Sequence, residues 1–330
     1  MRRLALVLPG RGSYTEASLG SLDSSHPRVQ EAEQLRSEFD LEPLGVLDGA
    51  ARFAPAEHLR PAHVSALIYT KSFIDAETVI QQGRVVAVTG NSMGWYTALA
   101  VGGTLSFADG FRLVQRMALL QEDGASGGQI IYPLVDEQWK ALPERREQVD
   151  AALAGAEGEA FYSIHLGGYT VLAGSSKGLA QLNQALPKIQ QGRVSYPFRL
   201  ALHGPYHTPL SRSVAERARR LLEPLSFQLP KVTLVDGFGR RHSPWSADVE
   251  ALRDYTFGAQ VTDPYDLTAA LRVLLREFAP DQLVLTGPGN SLGGVCGQVL
   301  AAEGWRDIHG RDDFSDAQTS DDPPLWSMGI

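Results

Sequence analysis

Short apolar runs alternate with amphipathic stretches along the first third of the chain. Residues 4–8 and 85–88 are continuous apolar runs, a pattern typical of parallel strands buried on both faces. Between them, residues 60–82 carry apolar side chains at helical spacing. After the second run the pattern predicts a helix over 96–101 and another that Ser106 caps at its N-terminus. This order of elements indicates an α/β fold.

Residues 127–200 have a different pattern of apolar and polar positions. The pattern there predicts a strand, a helix, two strands, a helix and a last strand, over 129–135, 145–154, 160–166, 169–173, about 176–189 and 194–202. Ser175 or Ser176 caps the second of these helices. The order β-α-β-β-α-β is that of a ferredoxin-like unit.

From residue 201 the alternation of strands and helices seen in the first third of the chain resumes. Thr208 followed by Pro209 predicts a helix start, with the helix running to about residue 222. A helix over 264–278, a strand over 282–286 and a helix near 291–302 follow. We therefore expect a large α/β-hydrolase-like domain with a parallel sheet, built from residues 1–126 and 201–330. A small ferredoxin-like domain, residues 127–200, is inserted in it.

Composition narrows the classes of function. The formal net charge is −8, which does not indicate a nucleic-acid footprint. Part of this acidity lies in a predicted solvated tail from about residue 312, with Asp312, Asp313, Asp316, Asp321 and Asp322. Nowhere do about eighteen apolar residues run together, as a membrane span requires. The single cysteine, Cys296, cannot form an intrachain disulfide and agrees with a reducing compartment. We expect a cytoplasmic monomer that binds neither nucleic acid nor a membrane.

A candidate nucleophile lies between the second apolar run and the next helix. Gly90-Asn91-Ser92-Met93-Gly94 has the Gly-x-Ser-x-Gly pattern of a nucleophile elbow. The sharp turn strains the serine backbone, and the two glycines leave room for neighbouring elements. The turn also places the Met93 N–H at a helix N-terminus, where it can stabilise an oxyanion. The structural alternative for Ser92 is a helix N-cap in a tight turn.

A serine hydroxyl needs a base, and the chain has eight histidines. His207 is the favoured candidate because it precedes Thr208-Pro209 on a strand-to-helix connection at the same edge of the predicted sheet. His203 is its rival. The remaining histidines are interpreted as surface polar residues, and none forms a zinc-like cluster with cysteine. Cys296 is interpreted as a small packing residue.

Five segments resemble motifs of the malonyl-CoA:acyl-carrier-protein transacylases and polyketide synthase acyltransferase domains. Residues 90–96 (GNSMGWY) resemble that family's GHSLGEY, and residues 9–13 (PGRGS) resemble its PGQGS. Residues 204–210 (GPYHTPL) resemble GAFHTPL, 260–264 (QVTDP) resemble QLYNP, and 287–289 match a GPG turn. The segments occur in the family's order across nearly the whole chain.

The resemblance implies roles for individual residues. Ser92 would take the acyl group from coenzyme A, and His207 would remove its proton. The backbone carbonyl of Gln260 would orient His207, so that no aspartate is needed. The backbone N–H groups of Arg11 and Met93 would form the oxyanion hole, which the change from Gln to Arg at position 11 need not disturb.

Departures from the family's pattern concern the acyl pocket, to which we assign Asn91, Trp95, Met117 and Tyr206. Asn91 and Trp95 stand where the family has His and Glu. Malonyl-specific members carry an arginine on the helix after the elbow, where it grips the malonyl carboxylate. An ungapped count from Ser92 reaches Met117, and a one-residue gap would reach Arg116.

Helix geometry favours Met117 over Arg116 at this position. At 100° per residue, Met117 lies at the edge of the apolar face, while Arg116 lies nearly opposite and faces solvent. A methionine pocket suits a neutral acyl group better than malonyl. Two alternatives stay open: a helix irregularity that turns Arg116 inward, or a positive charge supplied by Arg11 from the facing loop.

The leading hypothesis is an acyltransferase with a ping-pong mechanism. It moves an acyl group, malonyl by resemblance, from coenzyme A to the phosphopantetheine arm of an acyl carrier protein. The alternatives are an acyl-thioester hydrolase that clears carrier proteins and a transacylase for a neutral group such as acetyl. No bound cofactor or metal is expected, because the coenzyme A thioester is itself the substrate.

Overall fold

The computed structural model describes residues 1–124 and 126–329. The strands are β1 Arg3–Leu8, β2 Arg84–Gly90, β3 Gly128–Pro133, β4 Ala160–Leu166, β5 Tyr169–Gly174, β6 Ile189–Gln191, β7 Val194–Tyr196, β8 Phe198–Arg199, β9 Thr233–Val235, β10 Arg241–His242, β11 Tyr265–Asp266, β12 Gln282–Leu285 and β13 Leu325–Ser327. The helices are α1 Pro27–Ser37, α2 Leu44–Asp48, α3 Pro55–His58, α4 Pro61–Gln82, α5 Gly94–Val101, α6 Phe107–Gly124, α7 Pro143–Gly155, α8 Ser176–Ala185, α9 Arg212–Leu221, α10 Val249–Phe257, α11 Ala259–Thr262, α12 Leu267–Phe278, α13 Gly293–Ala302 and α14 Arg311–Gln318.

The larger sheet has the strand order β10-β9-β2-β1-β12-β13 in the described part of the chain. All neighbours pair in parallel except β10, which runs antiparallel to β9. The central strand β1 is buried from Leu4 to Leu8, as expected for an apolar strand covered on both faces. Leu8 pairs with Gly90, so the carboxyl ends of β1 and β2 lie side by side. The mixed α/β architecture with a parallel sheet is confirmed.

A second sheet has the order β11-β4-β5-β3-β8. Strands β3, β4, β5 and β8 pair antiparallel with one another, and β11 joins β4 in parallel. Helices α7 and α8 pack against each other and cover one face, where a separate apolar cluster includes Ile130, Tyr132 and Leu172. The opposite face carries Ile164, Leu166 and Val171, which belong to the main hydrophobic core. Helix α12 contacts both this sheet, through β4, and the larger sheet, through β2.

Several predicted elements have other bounds in the structure. Helix α8 ends at Ala185, and the strand predicted over 194–202 is split by Pro197 into β7, which pairs with β6, and β8, which pairs with β3. Proline lacks the N–H that a continuous ladder needs. Thr208 does not cap a helix: its hydroxyl donates to the carbonyl of Pro205, and a 3₁₀ turn precedes α9. Helix α12 begins at Leu267, and Asp266 caps it.

The acidic segment from about residue 312 also differs from the predicted solvated tail. Residues 311–318 form the exposed helix α14, in which no residue is buried. The chain then returns to the larger sheet, where Leu283 pairs with Leu325 and Leu285 pairs with Ser327. Leu325 is 3% exposed, and the burial of its side chain holds this three-residue strand against the sheet. Across the described residues, no helix combines the length and the apolar character needed to span a bilayer.

Candidate active site

Ser92 lies in a sharp turn between β2 and α5, with a backbone φ of 55° in the left-handed region. Such a φ is uncommon for a residue with a Cβ, and it turns the hydroxyl outward from the end of the sheet. A Cβ at Gly90 would lie 2.1 Å from the carbonyl oxygen of Gly94, and one at Gly94 would lie 2.2 Å from that of Leu8. Gly90 is therefore required by the close approach of β2 to the start of α5, and Gly94 by the close approach of the turn to β1.

His207 faces Ser92 from the connection that leads to α9. Its Nε2 lies 2.7 Å from Ser92 Oγ, and its Nδ1 lies 2.6 Å from the backbone carbonyl oxygen of Gln260. A carbonyl oxygen can only accept, so Nδ1 carries the hydrogen and donates it to Gln260. Nε2 is then unprotonated and accepts from the Ser92 hydroxyl. His207 itself has a φ of 57°, so both partners are held by unusual backbone conformations.

The side chain of Gln260 also holds the nucleophile. Its Nε2 donates to the carbonyl oxygen of Ser92 at 3.1 Å, and its Oε1 accepts from the hydroxyl of Tyr96 at 2.7 Å. Gln260 thus contacts the histidine with its backbone and the serine residue with its side chain. Both Gln260 and Tyr96 are buried, so these hydrogen bonds are shielded from water.

Burial sets the protonation state of the candidate base. It lowers the pKa of His207 to about 4, and the positive charge of Arg11 acts in the same direction, whereas the hydrogen bond to Gln260 opposes the shift. The imidazole is therefore neutral at neutral pH, as a general base must be. Burial also lowers the pKa of His203 well below its usual value. Its Nδ1 lies 2.7 Å from Gln129 Oε1, and among the described residues it makes no hydrogen bond to Ser92.

Arg11 and Met93, the two residues predicted to form the oxyanion hole, both lie close to Ser92. Arg11 follows β1, Met93 precedes α5, and both residues line the narrow space around Ser92 and His207. Within the described residues, neither N–H donates to another group of the protein. Two free N–H groups beside a nucleophile can bind a developing oxyanion.

The structure brings some of the predicted pocket residues together and separates others. Asn91 and Tyr206 line a cavity of about 170 Å³ beside Ser92. Trp95 does not: it is fully buried, and its Nε1 donates to Thr256 Oγ1 at 3.1 Å on the far side of α5. Trp95 lines neither this cavity nor the narrow space around Ser92, so its assignment to the acyl pocket stays a prediction that these cavities do not support.

Helix α6 orients Met117 and Arg116 as its geometry predicts. Met117 is 1% exposed in the hydrophobic core, and Arg116 is exposed with its guanidinium 4.8 Å from the ring centroid of Phe39. Met117 does not line either cavity beside Ser92, however. Gln121, one turn later on α6, reaches the space around Ser92 instead. Neither of the two predicted anchor candidates thus faces the nucleophile.

Sequence reasoning missed other residues of the site. Tyr96 belongs to the GNSMGWY segment, so its position in that motif could have identified it. Tyr265 donates from its hydroxyl to the carbonyl of Gly90, and its ring centroid lies 5.4 Å from that of His207. Gln129 and Gln121 enter the site from β3 and α6. No local pattern marks these last three, because only the fold brings them near Ser92.

The remaining reactive residues lie elsewhere. Cys296 is fully buried, and burial raises the pKa of its thiol to about 12. His58 and His63, interpreted from sequence as surface residues, are 3% and 2% exposed and contact backbone carbonyls of Leu47 and Glu57. Among the described residues, no group of three or more His, Cys, Asp or Glu side chains is arranged to hold a metal ion.

Several known proteins are similar to this chain over most of its length. No family model matches the chain. The malonyl CoA-acyl carrier protein transacylase of Haemophilus influenzae is 24% identical over 308 residues, which cover 91% of this chain and 93% of that protein. The polyketide biosynthesis protein ThaF of Burkholderia thailandensis is 25% identical over 299 residues, or 90% of this chain and 24% of that protein.

A solved structure has the same fold over nearly the whole chain. The malonyl-CoA:ACP transacylase of Synechocystis superposes with a TM-score of 0.76 at 17% identity, covering 99% of this chain and 97% of that one. The Haemophilus protein and the Synechocystis structure each match more than nine tenths of this chain. On these grounds the chain is similar, over nearly its whole length, to malonyl-CoA:acyl-carrier-protein transacylases.

Proposed function

We propose that the protein transfers an acyl group, malonyl by resemblance, from coenzyme A to an acyl carrier protein through an ester of Ser92. The observation that carries this proposal is the arrangement of Ser92, His207 and the Gln260 carbonyl, joined by hydrogen bonds of 2.7 and 2.6 Å. This arrangement activates a hydroxyl without a carboxylate partner. The reaction uses no bound cofactor, because the thioester is the substrate.

In the first half-reaction, Ser92 Oγ attacks the thioester carbonyl carbon while its proton moves to Nε2 of His207. The resulting tetrahedral oxyanion accepts hydrogen bonds from the N–H groups of Arg11 and Met93. One such donor stabilises a transition state by about 3 kcal/mol. The C–S bond then breaks, and His207 returns the proton to the departing coenzyme A thiolate. The product is an acyl ester on Ser92.

In the second half-reaction, the thiol of a phosphopantetheine arm attacks the acyl ester. His207 takes the thiol proton and returns it to Ser92 Oγ as the ester bond breaks, which regenerates the free serine. The carrier-protein partner is supported by a solved structure of the same fold that contains a type II polyketide synthase acyl-carrier protein in complex with its malonyl-transacylase. That structure has a TM-score of 0.74 and 21% identity, and it covers 90% of this chain and 93% of the matched one.

We also propose the division into a large α/β-hydrolase-like domain, residues 1–126 and 201–330, and a small ferredoxin-like domain, residues 127–200. The sheet order β4-β5-β3-β8 and the separate apolar cluster under α7 and α8 support it. Cytoplasmic localisation and a monomeric state stay predictions from the sequence.

Intact-mass measurement tests the proposed function directly. Incubation with malonyl-CoA should add one acyl mass to the wild type and none to Ser92→Ala. Cys296→Ser should load like the wild type, because that thiol is buried and protonated. Adding an acyl carrier protein that bears phosphopantetheine should then move the acyl mass to the carrier. Loss of the acyl group to water at the same rate without the carrier would identify a thioester hydrolase instead.

A further inference from the structure

Arg11 carries a positive charge in the site and has no counter-charge. Its guanidinium carbon lies 4.4 Å from the ring centroid of Tyr206, and its Nη1 is buried without a hydrogen-bond partner in the described part of the chain. No ion pair among the described residues includes Arg11. A partly buried cation left in this state is costly unless a ligand supplies the anion.

The cavity beside Ser92 is otherwise uncharged. Six aliphatic side chains line it: Ile131, Ile164, Leu166 and Val171 come from the second sheet, and Leu200 and Leu292 come from connecting segments. Among the residues that line it, Arg11 is the one Lys, Arg, Asp or Glu, and burial keeps the lining His203 neutral. Any charged group that enters this cavity has Arg11 as its available partner.

The size of the cavity limits what it can hold. Its volume of about 170 Å³ is close to that of an apolar cavity that holds a benzene molecule, which corresponds to about six non-hydrogen atoms. A malonyl group has that number of atoms. The volume therefore suits a short acyl group.

We propose that Arg11 is the specificity-determining residue for the acyl group and that it binds a free carboxylate on a short dicarboxylic acyl thioester. The proposal rests on acyl transfer at Ser92. The planar guanidinium can donate two parallel hydrogen bonds to a carboxylate. Of the two candidates on α6, Met117 lies in the core and Arg116 is exposed, so neither brings a positive charge into the site. Arg11 supplies that charge from the loop after β1.

A matched pair of thioesters isolates the carboxylate. Isovaleryl-CoA has the shape of malonyl-CoA with an isopropyl group in place of the carboxylate. In competition for Ser92, followed by intact mass, the wild type should prefer malonyl. Arg11→Gln should lower the malonyl-to-isovaleryl ratio by about 10- to 100-fold, the effect of losing a hydrogen bond to a charged group. Isovaleryl loading should persist, because the backbone N–H at position 11 remains.

Control variants separate charge from folding. Arg116→Gln makes the same chemical change on the outer face of α6 and should leave the ratio unchanged. Arg11→Lys keeps the charge without the planar fork and should retain part of the malonyl preference. If Arg11→Gln does not fold, Arg11→Lys still tests the role of the planar fork. A malonyl-to-isovaleryl ratio in Arg11→Lys equal to that of the wild type would overturn that role.

Two outcomes distinguish this proposal from the proposed function. Equal loss of malonyl and isovaleryl loading in Arg11→Gln would mean that the guanidinium binds the shared coenzyme A part, and the proposal would be wrong. Failure of every thioester to load the wild type would instead contradict acyl transfer itself. Thermal shifts in the Ser92→Ala background need no turnover. Malonyl-CoA should raise the melting temperature more than isovaleryl-CoA does, and adding Arg11→Gln should remove that difference.

Discussion

The hydroxyl of Tyr96 donates a hydrogen bond of 2.7 Å to Oε1 of Gln260, and this contact determines which way the Gln260 carboxamide faces. With Oε1 occupied by Tyr96, Nε2 is directed to the carbonyl of Ser92 at 3.1 Å. The reversed amide would place two donors against Tyr96 and an oxygen against the Ser92 carbonyl. Tyr96 is therefore a positioning residue for the nucleophile turn, although it touches neither reacting atom.

Tyr96→Phe should slow acylation of Ser92 while leaving the serine and histidine in place. Removal of the hydroxyl leaves Gln260 Oε1 buried and unpaired, which costs about 1–3 kcal/mol. We expect a rate reduction of about 5- to 100-fold in single-turnover loading. Tyr14→Phe is the control, because Tyr14 is also a buried tyrosine that donates to a side chain, Asp48, away from the site. A similar rate loss in both variants would assign the effect to stability alone.

Replacement of the two histidines should have unequal effects. His207→Ala removes the group 2.7 Å from Ser92 Oγ and should reduce loading by about 10²- to 10⁴-fold. His203→Ala should cost far less, because that ring contacts Gln129 and not the nucleophile. Single-turnover loading of both variants, at matched thermal stability, provides the comparison. A larger loss in His203→Ala would contradict the assignment of the base.

The acid limit of acylation should lie well below the usual histidine range. His207 must be unprotonated to accept the Ser92 proton, and burial lowers its pKa to about 4. The loading rate should therefore stay constant from neutral pH down to about pH 5 and reach half its maximum near pH 4. Rate measurements over this range, with circular dichroism to monitor folding, test the expectation. Half-maximal loading near pH 6.5 would contradict it.

The same pKa shift makes stability depend on pH. In the unfolded chain His207 binds a proton at the usual histidine pKa, about 6.5, whereas the folded chain does so only near pH 4. Between these values the unfolded state binds more protons, so the free energy of unfolding falls as the pH is lowered. Urea denaturation of the wild type should be more sensitive to pH in this window than that of His207→Gln.

Gly94→Ala should destabilise the protein through the backbone of β1. The new Cβ would lie 2.2 Å from the carbonyl oxygen of Leu8 and 2.8 Å from that of Pro9, and neither oxygen can move without disturbing the sheet. We expect a loss of about 2 kcal/mol or more in the free energy of unfolding. Gly294→Ala is the control: it is an exposed helix residue with nothing within 4 Å of the added Cβ. That change should be neutral or slightly stabilising.

Met117→Arg should not restore a malonyl anchor. Met117 is packed in the hydrophobic core, so an arginine there would bury an unpaired charge and lower the free energy of unfolding by roughly 3 kcal/mol or more. Met117→Leu should cost less than about 1.5 kcal/mol, because it preserves volume and polarity. Chemical denaturation compares the two. A stable Met117→Arg variant with increased malonyl loading would place this position in the acyl pocket.

The sequence pattern predicted the elements whose apolar positions follow a regular spacing or a continuous run. The buried strands β1 and β2, the long helix α4 and the two-glycine turn around Ser92 follow from apolar runs, helical spacing and the need for room. The direction of Arg116 followed from the helix rotation of 100° per residue.

The predictions that the structure does not match concern contacts between elements that lie far apart in the sequence. The last strand β13 has three residues in an acidic segment, and only pairing with β12 fixes it. Trp95 is three residues from the nucleophile, but the turn into α5 sends its ring to Thr256. The ungapped count and the helix rotation predicted Met117 in the pocket, whereas Gln121 lines the space around Ser92. Such assignments need the relative positions of two elements.

The strands β3 and β8 lie next to each other at the two ends of the inserted segment, with Ile130 paired to Arg199. A segment whose ends are neighbours can be exchanged without moving its host, since closing it adds little strain to the surrounding chain. Its strands contribute Ile131, Ile164, Leu166 and Val171 to the cavity, whereas Ser92 lies outside it. This aliphatic part of the wall can therefore be exchanged while Ser92 and Arg11, which lie outside this segment, stay in place.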